Sequence, residues 1–144
     1  MGNAALAATF GSFKYRPLPS QDRFHGDIRT KYRGFSGPVG SGKSNALAYE
    51  AIICAALNPG RTGLIGAPTY PMLADATMRS ILDALESEGI EYTYNRSRHV
   101  LQFPNDGVFR GATVLCRTMD QPERLRGTNV AWFGVDELTY CKEE

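Results

Sequence analysis

The chain has 144 residues, enough for one domain, with 42% hydrophobic residues and a formal net charge of +1. That near-neutral balance excludes a large basic field for nucleic acid, although local clusters can still meet phosphates. Three scattered cysteines, Cys54, Cys116 and Cys141, fit neither a metal spacing nor a disulfide framework, so a reducing compartment is the default; no apolar run reaches membrane-spanning length.

Met1 to Phe13 is alanine-rich, lacks the basic start of a secretion signal, and has Leu6 where a myristoylation pattern needs Ser or Thr. It reads as a mobile tail, or a short helix, over residues 1–13, with the folded part at 14–144. Residues 14–29, with Pro17, Pro19 and Gly26, read as an ordered loop containing a turn of helix. Lys31 to Ser36 reads as a first strand.

The next eight residues are Gly37, Pro38, Val39, Gly40, Ser41, Gly42, Lys43 and Ser44. They complete the pattern G-x-x-x-x-G-K-[ST], a phosphate-binding loop. Its glycines let backbone N–H groups curl around phosphate oxygens. Lys43 is placed to reach the β and γ phosphates, and the Ser44 hydroxyl to ligate Mg²⁺. The alternative is a plain glycine turn before a helix, but strand, loop, helix is the order the mechanism needs.

A helix is expected over Lys43 to Leu57, apolar on most sides (Ala46, Leu47, Ile52, Ile53, Ala56, Leu57) and stopped by Asn58-Pro59-Gly60. Thr62 to Ala67 reads as a short buried strand. Pro71 to Gly89 reads as a second helix, with Leu73, Thr77, Ile81 and Leu85 spaced four apart. The period then changes to that of strands at Glu91 to Tyr94, His99 to Phe103 and Val108 to Arg117, with Asn105-Asp106-Gly107 as a hairpin turn. Tyr92, Tyr94 and Phe103 read as hairpin packing, and His25 and His99 as structural or exposed. Val130 to Val135 reads as a final buried strand beside the first, ending in Asp136 and Glu137.

An apolar strand ending in two acids is what a Walker B segment looks like. Asp136 would support Mg²⁺ and Glu137 would act as general base on the attacking water. Strands alternating with helices predict an α/β fold, a P-loop NTPase of ASCE type with a mostly parallel sheet flanked by helices and a β-hairpin insertion.

These residues carry a resemblance. From about Tyr15 to the end, the chain resembles the ATPase domain of a phage large terminase, the motor that packages viral DNA. Leu18-Pro19-Ser20-Gln21 followed by Phe24-His25 is similar to an adenine-recognition segment. Gly37 to Ser44 matches the phosphate loop, Ala67-Pro68-Thr69-Tyr70 with Met72-Leu73 a strand end and helix start. Gln121-Pro122-Glu123-Arg124-Leu125-Arg126-Gly127 matches an arginine-glycine segment upstream of Walker B. The resemblance implies ATP and Mg²⁺ as cofactors, Gln21 as adenine reader and Arg126 as an arginine finger acting on a neighbouring subunit, with Arg124 as second choice. It also implies a homo-oligomeric ring, with double-stranded DNA, a portal protein and a small terminase subunit as partners. The implied place is the host cytoplasm at the procapsid portal vertex. Where such proteins often carry a basic residue four positions before the loop lysine, this chain has Val39.

The resemblance further implies a coupling motif, more strands and a metal-dependent nuclease domain beyond the Walker B strand. The sequence therefore reads as a partial ATPase domain, expected to leave apolar sheet edges uncovered and to aggregate or fold weakly by itself. The competing readings are another P-loop enzyme, helicase-like or a small-molecule kinase, and a nucleotide-binding assembly module without turnover.

Overall fold

The computed structural model describes residues 13–141; the tail expected over 1–13 lies outside them except for Phe13. A five-stranded sheet is built from β1 (Thr62–Ala67), β2 (Thr93–Asn95), β3 (Val100–Gln102), β4 (Thr113–Thr118) and β5 (Trp132–Val135), in the order β2-β3-β4-β1-β5. β1 pairs parallel with both β4 and β5, whereas β3 is antiparallel to β2 and β4. Only β3 therefore runs against the others, and the fold is the expected mostly parallel α/β sheet with a hairpin inserted at one edge. The interior strand β1, between β4 and β5, is buried from Gly63 to Ala67, as a parallel strand covered on both faces must be.

Two long helices pack with the sheet, and a short one packs against the first of them. Helix α1 (Pro19–Gly26) precedes the loop, and α2 (Lys43–Leu57) follows it. Alanines 46, 48, 51, 55 and 56 of α2 are all buried, which lets neighbouring elements approach its backbone closely. Asn58 closes α2, its backbone and side-chain N–H groups both donating to the Cys54 carbonyl. Helix α3 is continuous over Tyr70–Met72, Leu73–Met78 and Arg79–Glu88, and its middle stretch is a π-helix. A stripe spaced four apart drifts around an α-helix of about 3.6 residues per turn. The wider π turn takes up part of that drift, and Leu73, Thr77, Ile81 and Leu85 are all buried. Gly89 ends α3 in the left-handed region, with Ile90 N–H donating to the Leu85 carbonyl, a Schellman closure.

The N-terminal segment is clamped across both long helices. The Tyr15 ring stacks on Tyr49 of α2 at 3.7 Å, and Glu88 of α3 accepts from the N–H groups of Lys14 and Tyr15 and from the Tyr49 hydroxyl. Beside it, the buried carboxylate of Glu50 pairs with His25 Nδ1 at 2.6 Å and with Arg33. His25 is thus structural, as expected, and Tyr15 closes its other ring nitrogen at 3.2 Å.

Three expectations need correction. Lys31 to Ser36 joins no ladder: Arg33 is drawn inward to Glu50 and to the Phe24 carbonyl, so side-chain hooks rather than backbone pairing place this segment. Its Tyr32 ring lies 6.3 Å from Phe133, alongside β5 without bonding to it. In turn, β5 is half-exposed, with Phe133 58% accessible, and its ladder partner is β1. Finally, residues 108–112 loop instead of extending, because Arg110 and Gly111 take positive φ and Phe109 folds back to stack on Phe103 at 4.0 Å.

Candidate functional site

The loop between Ser36 and α2 turns on Gly40 (φ 78°) and Gly42 (φ 82°), conformations that cost little only without a Cβ. Gly42 is the N-cap of α2, so the loop ends at the positive pole of a buried helix, where backbone donors and the helix dipole favour an anion. Lys43 folds back over the loop, its Nζ donating to the carbonyls of Gly37 (2.7 Å) and Pro38 (2.9 Å). Ser41 Oγ is buried against Gly37 with no hydrogen-bond partner among the described residues. Val39 is fully exposed, and Ser44 is exposed at the start of α2.

Gln21 sits immediately behind the loop and is 3% exposed. Its Oε1 accepts from the Leu18 N–H at 2.8 Å and its Nε2 donates to the Gly42 carbonyl at 3.0 Å. The first bond is the helix-to-cap half of a capping box, since Gln21 is the third residue of α1. The second ties α1 to the loop. A Cβ at Gly42 would meet Nε2 at 2.6 Å, so the two residues are matched in size.

Strand β5 delivers the acids. Gly134 lacks the Cβ that would meet Leu47 of α2 at 3.0 Å and Ile65 at 3.1 Å, so α2 rests directly on β5. From that contact, Asp136 lies two residues further along the strand and Lys43 one helical turn back. Because α2 runs into the strand that follows it, helix start and strand end meet at one edge of the sheet. The Asp136 N–H continues the ladder to the Gly66 carbonyl at 2.9 Å. Its carboxylate, 9% exposed, accepts from the Thr77 hydroxyl at Oδ2 (2.8 Å) and from the Glu137 N–H at Oδ1 (3.0 Å).

Glu137 turns the chain with φ 50° and ψ 42°, a left-handed conformation costing a non-glycine residue about 1–2 kcal/mol. Its carboxylate is exposed and makes no hydrogen bond or ion pair with the described residues. Arg124 and Arg126 are likewise exposed on and just after the 3₁₀ turn Pro122–Leu125, and their guanidinium groups have no ion partner there. Lys43, Ser44, Asp136 and Glu137 therefore share one edge, Gln21 backs the loop, and the two arginines stand apart on an outward turn. Thr77 had no motif to announce it; its only sequence signal was being the one polar member of the α3 stripe.

A model of the family described as terminase large subunit, T4likevirus-type, N-terminal, matches residues 35–144. The chain matches none of the curated proteins. Among solved structures, it is similar to the large terminase ATPase domain of Thermus phage P74-26, with 23% identity and a TM-score of 0.73, covering 96% of this chain and 59% of that one. It is also similar to a large terminase from a thermophilic bacteriophage, with 14% identity and a TM-score of 0.65, covering 74% of this chain and 27% of that one. At these identities the likeness establishes the fold alone, a terminase-type P-loop ATPase architecture. The family match spans most of the chain, and with it the chain belongs to the phage large terminase subunits.

Proposed function

We propose that this chain binds ATP with Mg²⁺ and hydrolyses it as the motor part of a large terminase that drives double-stranded DNA into a procapsid. The observation that carries the reading is the meeting of two halves at one sheet edge: a glycine-turned loop closed over by Lys43, and a buried carboxylate at Asp136. The residues fit the group. The loop supplies backbone donors at a helix N-terminus, the orphaned Ser41 hydroxyl and a cation held in waiting.

In this reading Lys43 leaves the Gly37 and Pro38 carbonyls and pairs with phosphate oxygens. Ser44 and Asp136 would hold Mg²⁺, which when bound would supply positive charge against the negative charge of the phosphate oxygens. Glu137, whose carboxylate has no partner among the described residues, takes the proton of the attacking water. Arg126, exposed on its outward turn with no ion partner among the described residues, suits a neighbouring subunit's site in a ring better than its own, with Arg124 next to it. An adenine reader at Gln21 would have to exchange the two backbone partners it now holds. The small terminase subunit, the portal protein and the procapsid vertex in the host cytoplasm, like the partial-domain reading of 14–144 and a nuclease elsewhere in the parent protein, remain parts of this proposal.

A nucleotide-binding module without turnover is the second reading, favoured by the exposure of Glu137. Nucleotide affinity and phosphate release, measured with and without double-stranded DNA, separate the two. Lys43→Ala should lose affinity by tenfold or more. Glu137→Gln should keep affinity and lose turnover by at least 100-fold, in the range of general-base catalysis. Nucleotide binding with no phosphate release in either the parent or Glu137→Gln would leave only the second reading, and unchanged affinity in Lys43→Ala would remove both.

A further inference from the structure

We propose that Thr77 is a positioning residue for the metal-binding carboxylate, and that the π-helical stretch of α3 exists to present it. The inference rests on the nucleotide-binding reading above and adds to it a residue that no motif marks. A threonine hydroxyl inside a helix ordinarily donates to a carbonyl of its own preceding turn. Here that carbonyl, Met72, is 3.4 Å away, whereas Asp136 Oδ2 is at 2.8 Å and 59 residues distant in sequence. One hydroxyl hydrogen serves one short bond, and the carboxylate has it.

Both groups are buried, at 3% and 9% exposure, so the hydroxyl is a dedicated donor that water does not readily replace. Thr77 falls within the π segment Leu73–Met78, the kind of local helix widening that recurs at functional sites. Its β-branch limits rotation about χ1, so where the helix turn points, the hydroxyl points. The relay then continues, since the other Asp136 oxygen holds the Glu137 N–H. Thr77 thereby restrains both the carboxylate meant for Mg²⁺ and the left-handed turn that carries the general base. Each Asp136 oxygen still has lone-pair capacity for a metal or its water.

The experiment is ATPγS binding to the 144-residue chain across a Mg²⁺ titration and in EDTA, comparing the parent, Thr77→Val and Thr77→Ser. Removing an outer partner of a metal ligand costs about 10–100-fold in metal affinity. The Mg²⁺ midpoint should therefore rise at least about tenfold in Thr77→Val, while affinity in EDTA stays at the parent value and Thr77→Ser tracks the parent. If Thr77→Val does not fold, Thr77→Cys, with a similar shape and a feeble donor, takes its place. An unshifted Mg²⁺ midpoint, or an equal loss in Mg²⁺ and in EDTA, overturns the inference and leaves nucleotide binding standing. A parent that binds no ATPγS under either condition removes the underlying reading and this inference together.

Discussion

At the scale of single residues, Glu137 combines a chemical opportunity with a backbone cost. Its left-handed φ of 50° would suit glycine, yet a carboxylate stands there. Glu137→Gly should raise the urea midpoint by an amount equivalent to about 1 kcal/mol while abolishing turnover. A midpoint that falls instead would mean the Glu137 side chain contributes to folding and the strain argument fails. The loop residues Gly37 to Ser44 and the pair Asp136-Glu137 were legible from sequence because their chemistry is local: a glycine pattern dictates the turn, and an apolar run ending in acids dictates where the acids emerge. Thr77 was legible only as a member of a buried stripe. Its partner comes from a distant strand, and no spacing within α3 encodes that meeting.

At the scale of elements, the long helices and β1 were legible almost to the residue, since Lys43–Leu57 and Thr62–Ala67 are bounded by strong local signals such as Asn58-Pro59-Gly60. The segment 31–36 was not, because a pull from Arg33 to Glu50 is a tertiary contact that propensity cannot register. Residues 108–112 were misread for a related reason: Phe109 is apolar enough for a strand but stacks on Phe103 across a loop. Gln21 joins two elements, α1 and the loop, through a buried amide. Gln21→Leu would strand the part-buried Leu18 N–H and Gly42 carbonyl, each at the low end of the about 1–3 kcal/mol that an unpaired group costs. Chemical denaturation without nucleotide should show a loss on the order of 2 kcal/mol. Full stability in the variant, with a changed preference between ATP and GTP, would instead make Gln21 a base reader.

At the scale of the whole molecule, ionisable groups tie the N-terminal segment to the helical layer. Burial, followed by the charges of Asp22 and Glu50, pushes the Tyr15 hydroxyl from 10.0 up to about 12. Burial first, and then the Glu50 carboxylate, pushes the Cys54 thiol from 9.0 up to about 12, and burial does the same to Cys116. Each group holds its proton more tightly folded than unfolded. Their contribution is therefore intact below about pH 9 and is lost as pH rises towards about 12. Thermal midpoints should fall across that window, and at pH 8 a thiol reagent should label Cys54 and Cys116 only on unfolding; rapid labelling of both in the folded chain would contradict this. One more property follows from the packing of β5. The chain has a single tryptophan, and it is Trp132, on the strand that carries Asp136, with its ring lying over Gly63 of β1. Emission excited selectively from tryptophan, and not from the seven tyrosines, is thus a readout of a single ladder. A shift in its colour on adding nucleotide would report movement at the acid-bearing edge, while changes confined to the distant hairpin would remain optically dark.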